Sequence, residues 1–240
     1  MATVAEVMDE AARECSVSRP TSWLTAATDT YLEMKDFLNE TVSELLERID
    51  WPDPICQNQT ITGDGTTDYT LASDFKRLTR DDFAVYESTG TRRRCVPVHS
   101  NGAWTYLVEH NAAGGDRFFR ISGDEETGYE IEFFSYPESG NVITVSYISK
   151  NWLKNSGTPA STWSDATDTL LLPRRLVKMG VVWRFRRRKG LPYADRLAEY
   201  EAVLARQAND SRVIRSVDMT GGSGRRNPFD VPVPDYIPSS

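Results

Sequence analysis

Residues 169–207 read TLLLPRRLVKMGVVWRFRRRKGLPYADRLAEYEAVLARQ, and the rest of the chain is best understood outward from them. On a helical wheel Leu176, Val177, Met179, Val181, Val182, Trp183 and Phe185 cover nearly the whole circumference, which predicts a helix buried by several neighbours. Asp168 or Thr169 is placed to cap it, and Pro173 suits its first turn, where a missing N–H has no partner to lose. Gly190 supplies a left-handed stop, and Pro192 opens a last helix over 193–208 with Leu197, Tyr200, Val203 and Leu204 facing inward.

Within it, residues 169–194 hold eight of the 28 Lys and Arg, namely Arg174, Arg175, Lys178, Arg184, Arg186, Arg187, Arg188 and Lys189, with no acid between Asp168 and Asp195. Because the whole chain has a formal charge of −7, its other residues sum to −15. Charge sorted this way predicts separate surfaces that meet different neighbours, a pattern of assembly more than of catalysis. Arg92, Arg93 and Arg94 form a second basic cluster, and complementarity between subunits is the favoured use of both clusters.

With 240 residues and 39% hydrophobic content, the chain can bury one good core or two modest ones. It has no apolar run near the roughly 20 residues a membrane-spanning helix needs, and its acidic start lacks a signal-peptide layout, so the expectation is a soluble, unsecreted protein. Cys15, Cys56 and Cys95 are scattered and share no metal-like spacing with His99 and His110; three reduced thiols and no metal site are expected. An acidic balance argues against a tight grip on nucleic acid, but suits a wall past which DNA slides.

Upstream, a helix is predicted over 4–15 from the stripe Val4, Val7, Met8, Ala11, Ala12 and Cys15, and a longer one over 29–49 from Tyr31, Met34, Leu38, Val42, Leu45 and Ile49. The other face of the second helix carries Glu33, Asp36, Glu40, Glu44 and Glu47. A solvated face is the ordinary meaning of such a run; Glu33, Glu40, Glu44 and Glu47 are also the residues to line a channel, if there is one. After WPDP at 51–54 the pattern changes to short alternating segments, with strands predicted over 57–62, 69–71, 93–98, 117–122, 129–135 and 142–149. Ser139-Gly140-Asn141 would join the last two as a hairpin, 101–111 would be a short helix, and 151–167 a linker. The fold class expected is α+β: an antiparallel helical bundle (1–52 and 165–210) with an inserted antiparallel β domain (53–164). An extended C-terminal arm (211–240) follows, with Arg225, Arg226, Phe229, Tyr236 and Ile237 as its docking residues.

Standard catalytic and cofactor motifs are absent: there is no phosphate-cradling glycine loop, no G-x-S-x-G elbow and no H-E-x-x-H, so no enzyme and no cofactor are expected. GDGTTD at 63–68 resembles part of a calcium loop but reads better as a β-turn, and Asp124, Glu130, Glu132 and Glu138 read as strand carboxylates exposed to solvent. Trp104, Tyr106 and Tyr136 support an alternative, a tail-associated carbohydrate- or receptor-binding module.

Residues 171–204, with the strand pair YEIEFFSYPESGNVITVSYI and the N-terminal TVAEVMDEAARE, resemble the head-to-tail adaptors of short-tailed bacteriophages. The resemblance spans most of 3–207, and it implies a structural virion protein assembled in the host cytoplasm as a ring of twelve copies. That ring would join the portal protein to a tail nozzle or tail tube, with DNA passing through its axis without tight binding and no membrane partner. Arg184, Arg186, Arg187 and Arg188 are then interface candidates together with the arm residues.

Overall fold

Five helices and a multi-sheet β region are defined by the computed structural model, which describes residues 2–81, 83–90, 94–110, 117–135 and 137–213. Helix α1 (Val4–Glu14) opens with a capping box in which Thr3 and Glu6 satisfy each other's backbone N–H groups. Helix α2 (Asp29–Arg48) is ended by the extended Ile49 and by WPDP. Helix α4 (Arg174–Arg188) begins at Pro173 and stops at Gly190, whose φ of 67° is the left-handed value the sequence implied. Helix α5 (Ala194–Val213) completes the set. α4 is the hub and packs on α1, α2 and α5.

Between α2 and α4 run β1 (Cys56–Thr62), β2 (Asp68–Thr70), β3 (Phe75–Leu78), β4 (Val85–Glu87), β5 (Cys95–Pro97), helix α3 (Asn101–His110), β6 (Arg117–Asp124), β7 (Gly128–Phe133), β8 (Val142–Ser149), β9 (Leu153–Asn155), β10 (Thr158–Ala160) and β11 (Thr169–Leu170). One sheet is ordered β1-β8-β3 with β4 also on β8; a second is ordered β2-β7-β6-β5; a third, β10-β9-β11. The first two enclose a core of Ile61, Phe75, Val85, Phe119, Ile131, Phe133, Ile143 and Val145, like the layers of a sandwich. Arg117 on β6 ties them together: it donates to Ser135 O at 2.6 Å and to Glu87 on β4 at 3.3 Å, both side chains being buried.

The expected helical bundle with an inserted antiparallel β domain is not what forms; the chain is mixed α+β with a sandwich-like, multi-sheet region. The third sheet shows why. Trp152, Leu153 and Leu170 share one buried cluster with Val4, Met34, Leu38 and Leu176, so strands help to build the core that a bundle would have closed with helices alone. Thr3 also bridges to Thr169 across that boundary.

Three local expectations change with it. β7 pairs with β2 and β6 whereas β8 pairs with β1, β3 and β4, so the two strands flanking Ser139-Gly140-Asn141 lie in different sheets and form no hairpin. β5 and β6 are parallel, because α3 lies between them in sequence as a crossover. The supposed linker holds a hairpin of β9 and β10 turned at Ser156 and Gly157, whose φ values of 47° and 91° suit a two-residue loop. Thr169 is therefore in a strand, and Asp168 accepts N–H bonds from Ser164 and Asp165 at 2.9 Å instead of capping α4.

Candidate assembly interface

The acidic face of α2 and the basic face of α4, expected to look toward different neighbours, meet each other within one chain. Gly180 makes this possible, since without a side chain it lets α4 press against Thr41. Arg184, one turn on, is only 11% exposed; it donates to Thr41 Oγ1 at 3.1 Å, pairs with Glu40 at 3.3 Å and binds Glu44 directly. Glu44 also accepts from Arg48 at 2.7 Å and from the Tyr200 hydroxyl of α5 at 3.1 Å, so one carboxylate links three helices. Burial pushes the Glu44 carboxyl up, but the bonds from Arg184 and Arg48 outweigh it and hold the group below the usual range. Burial and the neighbouring Glu44 charge raise the Tyr200 phenol.

The pairing extends along α4. Arg174 binds Glu10, Lys178 reaches Glu14 at 3.2 Å, Arg175 reaches Glu199 at 3.1 Å, and Glu33 takes Lys189 at 2.6 Å and Arg188 at 3.7 Å. A hydrogen bond from Arg174 lowers the Glu10 carboxyl, and one from Lys189 lowers that of Glu33. Arg186 turns back to donate to Pro192 O at 2.7 Å. What stays outward is narrower than the composition implies: Arg187 is exposed, the Arg188 side chain is 69% exposed, and Asp36, Glu40 and Glu47 are exposed on α2, with Glu47 also reaching Lys76 at 3.5 Å. Opposite charges therefore remain at the surface of two adjacent helices after the inner pairs are made.

The other candidate residues disperse. Trp104 is buried against Phe134 and lies under Arg120, so it offers no open platform for a sugar, while exposed Tyr106 stacks on His110. Asp64 accepts from Thr66 and Tyr69 in a tight turn that holds its carboxyl at about 2, Asp124 caps the turn at Glu126 and Thr127, and Glu132 pairs with Arg120. Among the described residues no group of three His, Cys, Asp or Glu is arranged to hold a metal, and no helix is long and apolar enough to cross a membrane. Arg92, Arg93, Tyr136, Arg225, Arg226, Phe229, Tyr236 and Ile237 lie outside the described residues. Sequence reasoning missed Thr41, Gly180 and Tyr200 as the parts that seat Arg184; an isolated glycine inside an apolar helix was the one available signal.

A family described as SU10 adaptor protein matches residues 2–228. No curated protein matches the chain.

Proposed function

We propose, from the premise that the chain belongs to the SU10 adaptor protein family, that its copies close into a ring that joins a phage portal to the tail and surrounds the path of the DNA. The family is one of structural adaptors of bacteriophage particles, and the match over 2–228 is the observation that carries this reading. The geometry is consistent with it. Internal pairing stiffens α1, α2, α4 and α5 into one protomer, and the exposed charges of Arg187 and Arg188 on α4 and of Asp36, Glu40 and Glu47 on α2, at most singly paired within the chain, would give adjoining copies complementary flanks. The net charge of −7 leaves a wall that repels a duplex and keeps it mobile. Residues 211–240, with Arg225, Arg226, Phe229, Tyr236 and Ile237, would serve as a docking arm.

Imaging the purified chain with and without its portal tests the reading. Rings with a central hole, stacked on the portal, are the expected result; a chain that stays monomeric beside assembled portals would overturn it.

A further inference from the structure

Strand β1 ends its sheet with a free edge. Gly63 N donates to Asn141 O at 2.7 Å and Ser149 N to Ile55 O at 2.9 Å, so the odd-numbered residues of β1 turn their backbone groups toward β8. Asn58, Thr60 and Thr62 turn theirs away. All three are exposed, and among the described residues nothing bonds to their amides or carbonyls. The strand reads CQNQTIT and pairs with β8 without a register shift. It thus lacks charge, proline and bulge, the devices that ordinarily keep an edge of this length from pairing.

A matching strand can be read from the sequence beyond the described residues. In NPFDVPVPDYIP, 227–238, every proline has an even number: Pro228, Pro232, Pro234 and Pro238. Extended, this segment directs the N–H groups of Phe229, Val231, Val233, Asp235 and Ile237 to one side and lacks four donors on the other. It can add to one sheet edge but cannot itself be extended by a further strand.

We propose that residues 229–237 of one copy add as a strand to the β1 edge of a second copy. Direction follows from the side chains. Antiparallel addition would set Phe229, Val231, Val233 and Ile237 beside exposed Asn58, Thr60 and Thr62, whereas parallel addition sets them on the face that carries buried Ile61. The apolar set selects the parallel arrangement. A second copy is taken as the source because the ring reading sets a neighbour beside every β1 edge. Within one chain α5 passes Arg48 and Arg80 at Leu204, Ala205 and Ala208, shortly before its end at Val213, and Arg80 follows β3, which lies across β8 from β1. Donation from one side to the other side's edge is head-to-tail, the symmetry a ring requires. The intervening residues 214–228 reach roughly 50 Å when extended. This mode of contact rests on the ring reading for the presence of neighbours, and its donor lies beyond residue 228, where the family match ends.

The test uses full-length chains. Hydrogen exchange at the amides of Asn58, Thr60 and Thr62 should slow by at least about tenfold on assembly. Val231→Pro with Val233→Pro removes donors from the pairing side and should abolish that protection; Asp230→Pro, on the proline side, should keep it. Mixing the Val231→Pro, Val233→Pro chain with a Thr60→Pro chain should yield one-to-one pairs, since each supplies what the other lacks. Equal loss with Asp230→Pro overturns the proposal, as does protection already complete in isolated monomers, which would mean that the segment folds onto its own β1. Rings whose three amides exchange freely sink this contact and spare the ring reading. Protected amides in open chains that never close on a portal support the contact and sink the ring.

Discussion

Gly180 on α4 and Thr41 on α2 approach so closely that a β-carbon at Gly180 would lie 2.2 Å from Thr41 Cγ2. Glycine at this point sets how near the two helices come, and so brings Arg184 within reach of Thr41 and Glu44. Overpacking costs about 1–3 kcal/mol, and alanine returns up to about 1 kcal/mol of helix propensity. Gly180→Ala should therefore lower stability by about 1 kcal/mol, read as a drop of a few degrees in thermal melting. Adding Thr41→Ala should relieve the clash, so that the double variant loses less than the two single changes together.

Arg184 is an internal tie as well as a member of the basic cluster. Removing one partner of a buried pair strands the other, at a cost of about 3–5 kcal/mol. Glu44 keeps Arg48 and some contact with water, which places Arg184→Met near the lower end. Denaturant unfolding of the isolated chain should show a loss of about 3 kcal/mol; an unchanged midpoint would mean that the pair adds nothing to the fold.

Arg187 and Arg188 should behave in the opposite way. Both are exposed and, among the described residues, only Arg188 has an acid within reach, Glu33 at 3.7 Å, so Arg187→Glu with Arg188→Glu should leave stability within about 1 kcal/mol of the parent. Ring yield with the portal should fall sharply and become salt-dependent. Normal ring yield would remove these arginines from the interface.

Acid should loosen the helices through Glu44. Its carboxyl lies below its ordinary value in the fold, so the stability it contributes is complete above the unfolded value of about 4.3 and is lost as pH falls through the lower, folded value. Glu10 and Glu33, lowered by Arg174 and Lys189, act in the same sense. Melting temperatures between pH 5 and pH 2.5 should fall less steeply for Glu44→Gln than for the parent chain. Parallel slopes would show that the carboxylate is not linked to folding.

Much of the local structure was legible in the sequence. Predicted helices over 4–15, 29–49 and 193–208 correspond to α1, α2 and α5 within a few residues, the all-round apolar helix is α4, and the strand over 142–149 is β8. The resemblance to phage head-to-tail adaptors, carried by residues 171–204 and two upstream segments, agrees with the family to which the chain belongs. Strands β3 and β4 were missed because FKRL and VYE are too short to show a period of two. β9 and β10 read as a linker in the sequence, since their Ser, Thr, Gly and Pro are turn residues and only Trp152 and Leu153 mark the buried side.

By itself the sequence determined which segments are helical, where their apolar stripes lie, and how unequally charge is distributed, because periodicity and composition are local properties. Tertiary structure alone decided that β7 and β8 belong to different sheets, that a small sheet completes the helical core, and that most of the arginine cluster is spent on acids of α1 and α2. The physical reason is sequence separation: Arg184 and Glu44 are 140 residues apart, and no local pattern states which distant carboxylate will neutralise a buried guanidinium once burial demands one.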